Sequence, residues 1–296
     1  MAISVTPTVR GTISLDEFIS FCRANVRYDD EDSIMSAAEP LAALANDDML
    51  LVNAINSDLF RSIENRGNAR VLSTQSLLLH IDPIFKVRAN IWKKPIERPG
   101  TPYHDNAVYS YEYAHNHNFQ LLTVGYLGSG YWTDIHECSP EKIVGYIGER
   151  VELRHLERTS LPQGKVLLYR TLKDVHTQRP PEEFSISLNL IIGHPTGEVA
   201  DQYNFDLETS TIQRMVSMPL GSYLSVLTFA AILDSRSNLD ATVAVATSEA
   251  HWRVRLAAFQ CSAILAKSEA RTVWAKAVGD PHPRIRDAAA TYLSRS

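Results

Sequence analysis

Tyr109-Ser-Tyr-Glu-Tyr-Ala-His-Asn-His-Asn-Phe119 is the stretch on which the reading of the fold turns. Side chains of an extended strand alternate between its two faces. Read as a strand, it puts Tyr109, Tyr111, Tyr113, His115, His117 and Phe119 on one face, and Ser110, Glu112, Ala114, Asn116, Asn118 and Gln120 on the other. One wall is then aromatic with two imidazoles at i and i+2, and the opposite wall is polar. Two imidazoles so placed can chelate a single ion, with a third ligand supplied by a strand laid alongside. The candidate is His176 in Asp174-Val-His-Thr-Gln-Arg179, which precedes the strand-like run FSISLNLIIG.

Outward from this segment, the period of two holds from about residue 70 to 207. The runs RVLSTQSLLLHI, FKVRANIWKK, LLTVGYL, YWTDIHE, VELRHLE, KVLLYRTL and YNFDL are rich in β-branched and aromatic residues, and turn clusters such as ERPGTP, LGSG, SLPQG and GHPTG bound them. Eight or nine short strands joined by turns predict an antiparallel sandwich or jelly-roll barrel rather than βαβ units. Before them, residues 14–63 read as helical, opened by the capping-box spacing Ser14-x-x-Glu17, with Pro40 at a break or in a first turn. After residue 210 the pattern is helical again. The expected class is α+β, mainly β, with an N-terminal helical layer over 1–69, a barrel over 70–209 and a helical segment over 210–296.

The arrangement resembles the cupin superfamily, in which H-x-H on one strand and a single His on a later strand bind a metal inside a jelly-roll barrel. The glycines of Val124-Gly-Tyr-Leu-Gly-Ser-Gly130 fit the turn after that family's first motif, and Pro162-Gln-Gly164 resembles the turn that opens its second. The resemblance spans roughly residues 80–195. The glutamate that many cupins carry shortly after the second His is replaced by Leu121 and Leu122, while Gln120 points away by parity. The interval from Gly164 to His176 is also longer than usual. What remains is a three-His set like that of cysteine dioxygenase and related enzymes. The implied cofactor is Fe(II) or another divalent first-row metal, and the implied co-substrate is O₂. In the tail, His251-Trp-Arg-Val-Arg-Leu-Ala-Ala and His282-Pro-Arg-Ile-Arg-Asp-Ala-Ala resemble HEAT-type helical repeats. That segment either caps the barrel or docks a protein partner.

Around the three histidines, Tyr113 and His104 are the candidate catalytic groups, Tyr113 through its hydroxyl and His104 as an acid/base at the barrel mouth. Arg88, Arg170, Tyr111 and Gln178 are the candidate substrate contacts. The two arginines lie within strands where a cation must point outward or meet an anion. Cys138 is a minor candidate for a Cys–Tyr pair, and the facing of His136 is left open. Enzymes dependent on 2-oxoglutarate usually show H-x-D/E where this segment has H-x-H, and the Arg they often place about ten residues beyond the last His is missing, since Arg214 is the next after Arg179. The expected activity is therefore an oxygenase that takes its electrons from a small polar, amino acid-like metabolite. The alternatives are a metal-independent isomerase or epimerase, and a non-catalytic small-molecule-binding barrel with a docking tail.

Composition narrows the field. A net charge of -5 across 296 residues leaves no basic footprint for nucleic acid. Cys22, Cys138 and Cys261 form no CxxC pair and no disulfide framework. No run approaches the roughly 20 apolar residues of a membrane span. The opening MAISVTPTVRGTISLDEF lacks an apolar signal core, so a cytoplasmic protein is expected. A homodimer is a further expectation.

Overall fold

The computed structural model describes residues 3–65, 73–94, 104–193, 197 and 199–295. The chain divides into two compact units: Met1–Gly197 with Asp201–Ser217, and Glu198–Ala200 with Met218–Ser296.

The first unit holds two six-stranded sheets in which every ladder is antiparallel. The strands are β1 (Ile3–Val5), β2 (Ser76–Ile81), β3 (Phe85–Trp92), β4 (Ala114–Asn116), β5 (Gln120–Leu127), β6 (Trp132–Glu137), β7 (Arg154–Ser160), β8 (Val166–Tyr169), β9 (Asp174–Arg179), β10 (Ser185–Ile192), β11 (Gln202–Asp206) and β12 (Thr211–Ser217). One sheet runs β1-β8-β5-β10-β3-β2 and the other β12-β11-β4-β9-β6-β7. Mixed order with no parallel neighbours accords with the jelly-roll barrel expected from the sequence.

Strand parity explains the layering. In the first sheet Phe85, Val87, Ala89, Leu122, Val124, Val166, Leu168, Leu188 and Leu190 all join one core with Phe18, Ile34, Leu41 and Leu44. Those last four come from helices α1 (Leu15–Asn25), α2 (Glu31–Met35) and α3 (Ala38–Ala45). The N-terminal helices thus have no core of their own; they cover the sheet, and each fully buried Leu there contributes about 1.5–3 kcal/mol. Ser14 and Glu17 form the reciprocal cap of α1, with Glu17 accepting from the Ser14 amide at 2.7 Å and donating its own to Ser14 Oγ at 3.2 Å. Pro40 sits in the first turn of α3, where its missing N–H costs nothing. Helix α4 (Leu50–Asn65) follows.

The opposite parity of the same sheet turns inward. Trp92, Leu121, Leu167 and Tyr169 meet Tyr111, Tyr131, Ile135 and Leu161 in a second core made by both sheets. The outer face of the second sheet is closed by Ala114, Val175, Tyr203, Phe205 and Ile212 with Cys138 and Val151. Strand β12 carries this sheet to Ser217, past the expected boundary at residue 209.

One local expectation fails. Residues 109–119 are not a continuous strand, because α5 (His104–Tyr109) occupies the start and only Ala114–Asn116 is extended. Ser110 and Glu112 take φ of 55° and 62°, left-handed values that no ladder accommodates. The Tyr111 amide closes α5 onto Asn106 O at 3.0 Å, and the Glu112 amide reaches Gln178 O at 2.9 Å. Parity therefore holds only from Ala114 onward.

The second unit comprises α6 (Gly221–Ile232), α7 (Arg236–Ala246), α8 (Trp252–Ala266), α9 (Ala270–Ala277) and α10 (Pro283–Arg295) around Ala258, Phe259, Trp274 and Ile285. The two resembling motifs open α8 and α10, where Arg255 of the first pairs with Asp280 just before the second at 2.8 Å. No helix among the described residues is long and apolar enough to cross a membrane.

Candidate metal centre

His115 and His176 are direct cross-strand partners on β4 and β9, and Ile135 of β6 flanks His176 on its other side. Cross-strand partners in such ladders stand about 4.5–5.5 Å apart at Cβ, close enough for two rings to share one ion. The ring centroids are 4.4 Å apart for His115–His176, 5.1 Å for His115–His117 and 4.9 Å for His117–His176. One ligand nitrogen from each lies within 4.8 Å of the others.

The rings are prepared as neutral donors. His115 Nδ1 lies 2.9 Å from Tyr113 O, which fixes that nitrogen as the N–H and leaves Nε2 with its lone pair. Both ring nitrogens of His176 and Nδ1 of His117 are buried without a hydrogen-bond partner. Buried polar atoms almost always have partners, so orphaned nitrogens on His117 and His176, in a cluster where all three rings can each turn one nitrogen to a common point, fit a metal centre. Burial holds His117 and His176 well below the usual imidazole range, and the neighbouring rings push further in that direction. His115 is lowered by burial and partly restored by its bond to Tyr113. Neutral imidazole is the ligating form.

The wall above the triad is aromatic and hydroxyl-bearing. Tyr169, 1% exposed, packs its ring 4.2 Å from His176 and 6.4 Å from His117, and burial raises its hydroxyl well above the ordinary range. Phe119 stacks on His117 at 4.6 Å. The Tyr131 hydroxyl lies among Tyr169, Gln178 and Thr123, with its ring 4.3 Å from Trp92.

Further along the interior, Arg88 of β3 and Asn189 of β10 are direct partners, and Thr123 of β5 pairs Asn189 on its other side. Asn189, 3% exposed, accepts through Oδ1 from Thr123 Oγ1 at 2.5 Å and Ser187 Oγ at 3.3 Å. Its Nδ2 therefore faces the interior unpartnered, and Arg88 Nε beside it is also buried without a partner. Among the described residues Arg88 meets no carboxylate; burial lowers its guanidinium from the ordinary range and only Tyr131 opposes that.

The sequence-predicted residues thus distribute unevenly. His115, His117 and His176 converge, and Arg88 and Gln178 face the same interior. Tyr111 is fully buried in the aromatic wall, and its hydroxyl donates to Lys93 O at 3.0 Å. Tyr113 sits at the margin with the Arg214 guanidinium 5.2 Å over its ring; the tyrosine packed on the triad is Tyr169. Arg170 is 5% exposed and fully engaged by carboxylates, through Nη2 to Asp174 at 2.6 Å and to Glu137 at 2.9 Å, so its charge is already answered. Cys138 lies in the outer core with its thiol on Leu172 O and pushed up to about 12 by burial, away from the aromatic interior. His136 is on the outer side, edge-on to His155 at 5.1 Å. His104 begins α5, but its side chain lies outside the described residues.

Tyr131, Tyr169 and Asn189 were not singled out in the sequence. Asn189 carried a signal: in Ser185-Ile-Ser-Leu-Asn-Leu-Ile-Ile192 the polar residues alternate with aliphatics on a strand buried on both faces.

No family model and no curated relative matches the chain. Among solved structures it is similar to a salicylate 1,2-dioxygenase from Pseudaminobacter salicylatoxidans, at 9% identity and TM-score 0.26 over 48% of this chain and 32% of that one. A hydroquinone 1,2-dioxygenase from Sphingomonas sp. TTNP3 aligns at 10% identity and TM-score 0.24 over 43% of this chain and 70% of that one. A vicilin from Solanum melongena aligns at 9% identity and TM-score 0.24 over 49% and 34%. The chain spans about a third of the length of the salicylate dioxygenase.

Proposed function

We propose that this protein is a cupin-type non-haem oxygenase in which His115, His117 and His176 hold one Fe(II) and a small anionic metabolite occupies the barrel beside it. The reading is carried by three neutral imidazoles that can each offer one nitrogen to a common point, two of them with buried nitrogens that have no partner. A divalent ion on three neutral ligands would supply Lewis acidity and open positions for an electron-rich substrate and O₂.

The remaining roles belong to this chain's side chains. Arg88 and Asn189 offer adjacent N–H donors to a substrate carboxylate, and a guanidinium meets a carboxylate best through paired bonds. Anchoring at that point directs the rest of the molecule across Tyr131 toward the histidines. Gln178 and Thr123 orient the Tyr131 hydroxyl, and Tyr169, kept protonated by burial, holds its hydroxyl beside Tyr131 and Thr133 while its ring packs on the triad. Trp92, Tyr111 and Phe119 exclude water from this path. The missing 2-oxoglutarate signature supports a reaction whose electrons come from the substrate alone.

Elemental analysis of protein purified without chelators, beside His176→Ala, tests the reading. About one iron per chain, lost in the variant, supports it; no metal in a folded parent protein sinks it and leaves a metal-independent isomerase or a binding protein.

A further inference from the structure

The turn between β8 and β9 is four residues long, Arg170–Lys173, and is unusually tied down. Arg170 donates from its own amide to Asp174 Oδ2 at 2.7 Å, from Nε to the same oxygen at 3.0 Å, and from Nη2 to Asp174 Oδ1 at 2.6 Å. The same Nη2 reaches Glu137 Oε1 at 2.9 Å, at the end of β6. Asp174 is 1% exposed and its amide returns to Arg170 O at 3.2 Å. Inside this frame Leu172 takes φ 59°, which aims its amide at His117 O (2.6 Å) and its carbonyl at Asn116 Nδ2 (3.5 Å) and Cys138 Sγ (3.2 Å). Thr171 donates to Gln120 Oε1 at 3.1 Å, and Lys173 O accepts from the Cys138 amide at 2.9 Å.

The turn therefore joins the segment carrying His115 and His117, the strand carrying His176 two residues after Asp174, and the end of β6. A left-handed Leu costs about 1–3 kcal/mol and persists only where its surroundings over-determine it. The bidentate Arg170–Asp174 pair is the surrounding that does so. We propose that Arg170 is a positioning residue for the histidine triad: clamped on Asp174 and Glu137, it holds the 170–173 turn in the one shape that fixes His117 and His176 at ligating distance. It touches neither metal nor substrate, and this inference rests on the metal-binding reading above.

The test is the affinity of the full-length, metal-stripped protein for Co(II) and Zn(II), by competition with a chromophoric chelator, with apo-protein unfolding measured in parallel. Arg170→Gln is expected to weaken both metals by roughly 10- to 100-fold, as loss of groups that orient ligands typically does. Arg170→Lys, which keeps charge but not the fork, is expected to recover only part of that. Glu149→Gln is the control: Glu149 is a buried carboxylate of the same unit that accepts from the amides of Val144 (2.7 Å), Gly145 (2.5 Å) and Tyr146 (3.3 Å), remote from the ligand strands. It should lower apo stability while leaving metal affinity unchanged. Should Arg170→Gln fail to fold, Glu137→Gln removes the outer arm of the clamp, along with the exposed pairs to Arg154 and Lys173, leaves the Arg170–Asp174 fork, and carries the same test with a smaller factor. Parent-like affinity in a folded Arg170→Gln, or an equal loss in Glu149→Gln, overturns the clamp alone. A parent protein that binds neither metal overturns the clamp together with the metal-binding reading.

Discussion

Arg88→Met should make the protein more stable and unable to hold its substrate. Arg88 is half-buried with Nε sealed from solvent, faces Asn189 across the ladder, and meets no carboxylate among the described residues. Leaving a buried polar group without a partner costs about 1–3 kcal/mol, and more when it is charged. Methionine keeps most of the apolar stem while removing the charge, so packing beside Tyr131 is largely retained. Without ligand the unfolding free energy should rise by about 1–3 kcal/mol. At about 2–4 °C per kcal/mol for a unit of this size, the melting temperature should rise by roughly 2–12 °C. A carboxylate bound through Arg88 reverses the ordering. A ligand at 100 times its Kd stabilises the parent by about 2.7 kcal/mol and the variant not at all. The assay is thermal unfolding of both proteins, alone and with a panel of small mono- and dicarboxylates, with metal content measured alongside and expected to be equal. A variant less stable than the parent by more than about 1 kcal/mol would show that Arg88 is satisfied and structural. A carboxylate-induced shift that survives in Arg88→Met would remove it from the substrate site.

Other expectations follow from the same geometry. Asn189→Asp places a carboxylate opposite Arg88, so carboxylate ligands should no longer raise its melting temperature while metal content stays at one per chain. Tyr169→Phe removes a hydroxyl set beside Tyr131 and Thr133; stability should change by no more than about 1.5 kcal/mol while turnover falls, and unchanged turnover would exclude the hydroxyl from the reaction. Glu137, held at about 2 first by Arg154 and then by Arg170, contributes stability above its ordinary 4.5 that is lost as pH falls toward 2. Glu137→Gln should flatten the acid-unfolding curve across that window, and an unchanged curve would mean that the ion pairs are solvated. Gly130→Ala forces a side chain into φ 73° and against the Leu161 carbonyl, and should lower the denaturant midpoint by the equivalent of at least about 2 kcal/mol.

How far the sequence could be read depends on which interactions fix each residue. The three histidines were legible because β-ladder geometry is local: once Ala114–Asn116 and Asp174–Arg179 are strands, register puts His115 opposite His176. Gln120 was correctly turned away from the metal, and its oxygen serves Thr171 instead. Residues 109–113 were misread as strand because a helix and two left-handed residues break the parity, although Tyr109 and Tyr111 still reach the aromatic core, and nothing in Ser110 or Glu112 announces a positive φ as a glycine would. Arg170 was read as an anion seeker, which it is; its anions are Asp174, four residues on, and Glu137, which only the β6–β9 pairing brings near. Arg88 carries the same chemistry and found no such partner. The two arginines differ in nothing a strand pattern records. The contrast lies in the tertiary neighbourhood, where one cation is neutralised by two carboxylates and the other meets none among the described residues. That difference turns on whether a carboxylate lies opposite in the sheet, so the Asn189→Asp exchange, which supplies one to Arg88, should convert an open cation into a closed one.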